Sequence, residues 1–466
     1  MNFYNELDKF SDKTALITEN SRVIDYKELL AVADRIAAHT ENRCLVFIVC
    51  QNSFESIAGY VGFQRAGVAI ALVNSSIDDD LFLALLETYR PKYVYMPKES
   101  QIDGIDFESI FSFENYVLLE SFQTLEYALH RDLNLLLTTS GSTGSPKLVR
   151  QSYKNINSQA EAISEYLKIT SDDRPITTMP MSFTYGLSII NSHFFKGASL
   201  ILTDASLVDS SFWSMLKENQ ATTFGGVPYI YEILKKLRFG RMELPSLKYI
   251  TQAGGKLNNN LMVEFAKMCE EKSIDFYVMY GQTEATARIS YLPCEYAQTK
   301  VGSIGVPIPG GKIWLEDNEG NRIDRKGVSG ELVYQGNNVT LGYAENYLDL
   351  GKGDENNGLL RTGDIAEYDE DGFFTIVGRA KRFLKMHGNR INLDELEQLL
   401  TEQGYDCACS GEDNELVIYL TKSKEMENIK SYISKKMKIH PSGVDVKYIK
   451  KVPRNESGKI LYSELA

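Results

Sequence analysis

An apolar run that breaks into a bend of glycine, serine and threonine constrains this chain most. Leu133 to Thr138 carries enough aliphatic residues for a buried strand. It runs directly into Thr139, Ser140, Gly141, Ser142, Thr143, Gly144 and Ser145, and stops at Pro146 and Lys147. Glycines let such a loop bend tightly and turn several N–H groups and hydroxyls toward one point. A phosphate chain, with its charge spread over many oxygens, needs that arrangement. The loop is not a Walker loop, which requires Gly-Lys followed by Ser or Thr. Here Lys147 follows Pro146, and none of the Gly-Lys pairs in the chain meets that condition. A plain Ser/Gly linker would also be flexible and polar. The strand before the loop and the Pro-Lys ending after it argue for a built turn.

With 466 residues the chain exceeds one compact core, so two or more domains are expected. A net charge of −13 argues against nucleic acid or an anionic membrane as the main partner. No apolar run approaches the roughly 20 residues of a membrane span. The start, MNFYNELDKF, lacks the basic-then-apolar pattern of a signal peptide. Six cysteines form no C-x-x-C pair. Cys44 and Cys50 read as core thiols beside an apolar strand, and Cys407 and Cys409 lack the second pair or nearby histidine of a metal site. The cytoplasm is the expected compartment.

Strands and helices alternate along the first part. Asp25 to Ala38 reads as a helix, with Asp25 and Glu28 at capping-box spacing. Leu45 to Cys50 reads as a strand, Phe54 to Arg65 as a helix and Gly67 to Val73 as a strand. Leu81 to Tyr89 reads as a helix and Tyr93 to Met96 as a strand. After the loop come a helix at Asn155 to Leu167 and short strands at Ser199 to Thr203, Tyr249 to Gln252 and Phe276 to Tyr280. This alternation predicts an α/β fold of layered, mainly parallel sheets. From about Gly302 short strands and glycine turns predict a small β-rich piece. After a break near Arg379 to Arg382, a helix at Leu393 to Leu400, with Asn392 and Glu395 in capping positions, opens a small α+β unit. The expected division is 1–378 (with 302–378 β-rich), a hinge at 379–381, and a C-terminal lid at 382–466.

Five separated motifs occur in one order: TTSGSTGSPK at 138–147, YGQTE at 280–284, RTGD at 361–364, GRAKRFLKMHGNRI at 378–391 and PRNESGK at 453–459. Together they resemble the adenylate-forming superfamily of acyl- and aryl-coenzyme A synthetases, nonribosomal-peptide adenylation domains and luciferases. Each motif alone is common; the ordered set is specific and spans essentially the whole chain. The resemblance implies that a carboxylate attacks the α-phosphate of ATP, releasing pyrophosphate and leaving an acyl-adenylate that a thiol then takes. The thiol is coenzyme A or the phosphopantetheine of an acyl carrier protein. Two anions must meet, so the site needs cations and donors where charge builds up.

The resemblance assigns roles residue by residue. The loop Thr139, Ser140, Gly141, Ser142, Thr143, Gly144 and Lys147 would hold the β- and γ-phosphates. Glu284 would hold Mg²⁺, a hard cation that prefers carboxylate oxygen. Tyr280 would face adenine, Asp364 would accept the ribose hydroxyls, and Arg379 would reach ribose or phosphate. Gly254, Gly255, Gly281 and Thr283 complete the nucleotide set. Lys459 matches the catalytic lysine, Lys381 falls at the hinge, and Gly388 lies where a pantetheine arm would pass close to the backbone. In isolation these residues have plainer readings: a turn aspartate, a strand-ending tyrosine, a solvated tail lysine.

Departures from the family pattern narrow the substrate. In the segment Pro180 to Ser188 the family's coenzyme A synthetases often carry a histidine where Phe183 aligns, and its amino-acid-activating members an aspartate where Thr184 aligns. A buried, unpaired ammonium is costly, so a free α-amino acid is disfavoured. The expected pocket is lined by Phe183, Thr184, Tyr185, Gly226, Ala253 and Met279, apolar with a few hydroxyls. Leu148 replaces a common glycine and should affect how the next strand packs. The alternatives are an amino-acid-activating enzyme serving a carrier protein, a luciferase-like oxygenase, and a non-catalytic nucleotide-binding homologue. The last conflicts with the presence of Glu284, Asp364, Arg379 and Lys459 together.

The two-step reading makes a prediction for Lys459. Lys459→Ala should lower the rate of adenylate formation by about 10²–10³, the effect of losing one electrostatic group aimed at the transition state. Thioester formation from supplied acyl-adenylate should be largely spared. An equal loss in both half-reactions, measured separately, would contradict the assignment.

Overall fold

In the computed structural model, residues 2–100, 106–122, 127–138, 147–379, 382–386, 389–412, 414–437, 439–454 and 460–465 are described. The largest sheet has eight strands, in the order 342–344, 148–152, 133–138, 69–74, 45–50, 93–97, 116–121, 107–113. Its four central strands, from Leu133–Thr138 to Tyr93–Pro97, are parallel. They are runs of aliphatic residues buried on both faces, the composition that parallel pairing requires. Both flanks are antiparallel pairings. A second sheet repeats the scheme, with Thr223–Gly226, Tyr249–Gln252 and Asp275–Tyr280 parallel and Ser290–Leu292 and Val306–Pro307 antiparallel beyond them. The expectation of mainly parallel sheets therefore describes the sheet centres. At the edges the added strands run antiparallel, and of these Phe107–Phe113 and Tyr116–Ser121 form a tight hairpin, which pairs antiparallel by construction.

The helix Tyr26–Ala37 starts where its cap predicts: the Asp25 side chain accepts from the Glu28 N–H. The helix Phe54–Ala66 is buried along residues 54–64, because it lies between that first helix and the large sheet. The two helices cross closely, and a Cβ at Gly62 would stand 2.2 Å from the Ala33 carbonyl oxygen. The helix Tyr153–Tyr166 carries a capping box between Ser152 and Asn155. The run at Ser199 to Thr203 forms a strand only at Leu200–Ile201, paired to Thr14–Ile17. The 3-10 helix Phe3–Phe10 and the edge strands Phe107–Phe113 and Tyr116–Ser121 have no counterpart in the sequence reading.

A four-stranded antiparallel sheet, 312–316, 330–335, 359–368 and 374–379, forms the β-rich part. Beyond Arg379 the chain builds a separate core around Leu384, Leu396, Ile418 and Ile433, from three short strands, a hairpin and the helices Leu393–Glu402 and Met426–Met437. Cys407 and Cys409 are buried within it, and burial pushes the Cys407 thiol up to about 12.

One buried charge ties the large sheet to the following segment. Arg150, fully buried on Leu148–Ser152, donates to the carbonyls of Tyr343 (2.9 Å), Lys352 (2.5 Å), Gly353 (3.2 Å) and Leu341 (3.0 Å), and pairs with Glu355. Removing the guanidinium strands several buried carbonyls at once. Arg150→Met should destabilise the fold by about 3–5 kcal/mol, the range for breaking a buried pair from one side. Urea denaturation monitored by far-ultraviolet circular dichroism would register this as a lower midpoint, and an unchanged midpoint would refute it.

Candidate active site

The strand Asp275–Tyr280 ends at a loop whose backbone is folded unusually tightly. A Cβ at Gly281 would lie 1.7 Å from the Ala287 carbonyl oxygen, so only glycine fits there. Thr286 and Ala287 both have positive φ, at 54° and 136°, and for non-glycine residues this is strained backbone. The strain is held in place by Asn338, whose side-chain amide donates to the carbonyls of Ala285 and Arg288 at 2.8 Å each. Its own carbonyl oxygen accepts from Thr286 at 2.7 Å. Residues 280–284 therefore project from an over-determined frame.

One end of this stretch meets Asp364. The Asp364 carboxylate is almost fully buried, at 3% exposure. It accepts from the Tyr280 hydroxyl, from Gln282 Nε2 at 3.0 Å and from Arg379 Nε at 3.1 Å. Gln282 also donates to the Thr362 carbonyl at 3.0 Å. Asp364 and Arg379 face each other across neighbouring antiparallel strands, which is how residues 15 apart in sequence come to share a site. Burial first, then the Asp364 charge, holds the Tyr280 phenol well above its ordinary value. Tyr280 thus ends its strand and is also a member of this cluster.

The other end meets the segment of the strand Gly342–Ala344, which pairs with Leu148–Ser152. Glu284 Oε1 accepts from the Tyr343 hydroxyl at 2.6 Å, and the Glu284 carbonyl accepts from the Thr340 N–H at 3.0 Å. Burial and the Glu284 charge raise the Tyr343 phenol. Lys147 pairs with Glu345 at 2.6 Å, both half-exposed. Between the two ends, the Thr283 hydroxyl is 2.9 Å from that of Thr184.

Thr184 opens the helix Thr184–Phe195, and Phe183 is its cap position; both are half-buried. Tyr185, one residue on, is buried and donates to the Thr251 carbonyl at 2.9 Å. Tyr185 and Met279 line an internal cavity. Gly225 lines that cavity as well, with a Cβ position 2.7 Å from the Tyr185 hydroxyl. Gly226 turns the other way, toward Ile230, because side-chain directions alternate along a strand. Ala253 is buried at the turn after Tyr249–Gln252, where Gly254 has a φ of +82°. Gln252 Nε2 donates to the Gly255 carbonyl at 2.8 Å and fixes that turn.

Thr139, Ser140, Gly141, Ser142, Thr143, Gly144, Lys381, Gly388 and Lys459 lie outside the described residues. The side chains of Asn392 and Glu395 do so too. Leu148 packs in the core at 2% exposure and pairs with both Thr138 and Ala344. Gln282, Tyr343, Glu345, Gly225 and Arg288 belong to the site region and were not singled out by sequence. Gln282 was within reach, since it sits between two assigned residues of one motif. Tyr343 and Glu345 carry no local signal, because only strand pairing brings them to Glu284 and Lys147.

Comparisons with known proteins place the chain in a family. The family described as AMP-binding enzyme matches residues 3–344. The 2-succinylbenzoate–CoA ligase of Bacillus cereus (strain Q1) is 26% identical over 438 residues, covering 90% of this chain and 87% of its own. That of Bacillus mycoides (strain KBAB4) is 25% identical and covers 97% and 95%. Among solved structures, the O-succinylbenzoate coenzyme A synthetase of Bacillus subtilis with AMP aligns at a TM-score of 0.81 and 23% identity, covering 100% of this chain and 98% of that one. An anthranilate CoA ligase with anthranoyl-AMP aligns at 0.79 and 20% identity, covering 100% and 96%. At these identities the two structural likenesses establish the fold. Taken with the ligase relatives, the match over residues 3–344 establishes more: this chain belongs to the AMP-binding enzyme family and is an adenylate-forming acid–thiol ligase.

Proposed function

We propose that this enzyme makes the coenzyme A thioester of a small carboxylic acid that carries no free α-ammonium. One observation carries the reading. The five residues Tyr280 to Glu284 join the Asp364 cluster at one end to the Glu284–Tyr343 pair at the other, with Thr283 touching Thr184 between them. An acyl-adenylate has three parts to be held, nucleoside, phosphate and acyl group, and the stretch meets a candidate for each.

Asp364 is suited to the ribose. A carboxylate offers about four lone-pair sites, and three donors already use them. Two ribose hydroxyls therefore require one donor to yield. The Arg379 side chain, 51% exposed, is the one free to move, and it would then be available to phosphate. Glu284 fits Mg²⁺, which is commonly held by one or two carboxylates together with substrate phosphates. One oxygen is oriented by Tyr343, and the nearby Thr283 hydroxyl is also a hard donor. When bound, Mg²⁺ would neutralise charge on the phosphates. The exposed Lys147–Glu345 pair is weakly held, as surface pairs are, so Lys147 can exchange Glu345 for phosphate.

Coenzyme A, not a carrier protein, is the proposed acceptor, since the relatives are named as CoA ligases. We place the enzyme in the cytoplasm. Among the described residues no helix is long and apolar enough to cross a membrane, and the six cysteines are unpaired thiols, as a reducing compartment favours. Residues 379–381 remain the proposed hinge, with Lys381 taking up the rotation and the Gly388 backbone bordering the thiol's path.

Pyrophosphate release, screened over short, branched, aromatic and α-amino acids with and without coenzyme A, tests the reading. Acids without an ammonium should lead, and an acyl-coenzyme A should form. An α-amino acid as best substrate, or release without any thioester, would overturn it. Asp364→Ala should raise the Michaelis constant for ATP by about 10- to 150-fold, the loss of one charged hydrogen bond of roughly 1.5–3 kcal/mol. The ranking of acids should stay the same, and an unchanged constant for ATP would remove Asp364 from the ribose.

A further inference from the structure

Glu284 and Tyr343 meet on an open face, and buried structure holds both of them there. The Tyr343 hydroxyl donates to Glu284 Oε1 at 2.6 Å, although Tyr343 is 43% exposed. A hydrogen bond so open to water adds little to folding, because water offers both groups comparable partners. The backbone at each end is nevertheless fixed. Tyr343 pairs with Val149, and its carbonyl accepts from Arg150 Nε at 2.9 Å. The residue before it has to be glycine. Gly342 has a φ of +119°, and a Cβ there would stand 2.6 Å from a Glu355 carboxylate oxygen and 3.1 Å from an Arg150 guanidinium nitrogen. On the other side, Glu284 sits in the 3-10 turn Thr283–Ala285, and its carbonyl accepts from the Thr340 N–H at 3.0 Å. Two residues of one segment, Thr340 and Tyr343, thus grip the backbone and the side chain of Glu284.

The chain leaves the Glu284 charge unanswered. Among the described residues Glu284 forms no ion pair, and Lys147, just before the strand that Tyr343 pairs with, engages Glu345 instead. A hydroxyl that donates to Oε1 draws charge from that oxygen and fixes the plane of the carboxylate. Oε2, with no hydrogen-bond partner among the described residues, is left as the stronger ligand. Cations differ in what they ask of such a group. Mg²⁺ demands a near-ideal octahedron and keeps several waters, whereas Ca²⁺ takes more oxygens and accepts both oxygens of one carboxylate.

We propose that Tyr343 is a positioning residue that makes Glu284 a one-oxygen ligand and so biases the site toward Mg²⁺ over Ca²⁺. This rests on Glu284 as the metal carboxylate and adds the residue that sets its choice of ion. Tyr343 acts through Glu284 and not on the reacting atoms. That role accounts for an exposed hydrogen bond whose two ends are anchored by a buried guanidinium and a strained turn.

ATP affinity tests this, measured by calorimetry without acid in excess Mg²⁺, in excess Ca²⁺ and in EDTA. The wild type should bind ATP more tightly with Mg²⁺ than with Ca²⁺ or EDTA. Tyr343→Phe keeps the ring and loses only the hydroxyl. It should weaken binding in Mg²⁺ by about 10- to 100-fold, the range for losing a partner behind a metal ligand. Binding in EDTA should be unchanged, and the loss in Ca²⁺ markedly smaller, because a freed Oε1 lets the carboxylate chelate the larger ion. Wild-type affinity of Tyr343→Phe in Mg²⁺ would overturn the inference and leave Glu284 as the metal carboxylate. An equal loss in Mg²⁺, Ca²⁺ and EDTA marks a structural role and also overturns it. So does an equal loss in the two metals alone, since the hydroxyl then sets affinity without choosing the ion. Glu284→Gln serves as the control for the reading beneath. If that variant keeps the full tightening by Mg²⁺, the carboxylate is not on the metal, and the reading and the inference fall together.

Discussion

The Arg150 carbonyl cage is the constraint on which the site depends. Arg150 lies on the strand that receives the chain from the phosphate-type loop, and its donors hold residues 341, 343, 352 and 353. That held segment carries Tyr343, which orients Glu284, and Glu345, which engages Lys147. The loop's exit, the proposed metal carboxylate and the proposed phosphate cation are thereby tied to one buried side chain. Neutral core packing could hold the strand as firmly. It would not fix four carbonyls of an irregular segment, because each of them needs a donor once water is excluded.

A second constraint is the backbone strain between Gly281 and Arg288. The loop reverses so sharply that Gly281 abuts the Ala287 carbonyl, and Asn338 supplies the hydrogen bonds that keep it so. The same reversal presents Tyr280 and Gln282 to Asp364 and Glu284 to Tyr343, while Arg288 lines the internal cavity. Strained loops of this kind persist where the surroundings over-determine them, which is the condition for a preorganised site.

Much of the fold is legible in the sequence, and its physical basis is local. The helix Tyr26–Ala37 begins at the aspartate that caps it, and the strands Leu45–Cys50, Leu133–Thr138 and Tyr249–Gln252 coincide with their apolar runs. The antiparallel sheet edges are not legible, since Phe107–Phe113 is half-exposed and lacks a clean alternation. In the candidate site, motif residues such as Asp364 and Glu284 are singled out through the family resemblance. Arg150, Tyr343 and Arg288 are not, because they act through carbonyls, pairings and cavities formed by segments up to about 200 positions away. Gly225 is missed for a smaller reason. The phase of a two-residue alternation decides which of two adjacent glycines faces the cavity, and an apolar strand leaves that phase unmarked.

The central claim is that the acid's own oxygen attacks the α-phosphate. Carboxyl-¹⁸O-labelled acid, turned over with ATP and coenzyme A, tests this in one mass spectrum. The account predicts one ¹⁸O in the AMP released and none in pyrophosphate. Label appearing in inorganic phosphate, with ADP as the nucleotide product, would mean an acyl phosphate intermediate and would contradict it.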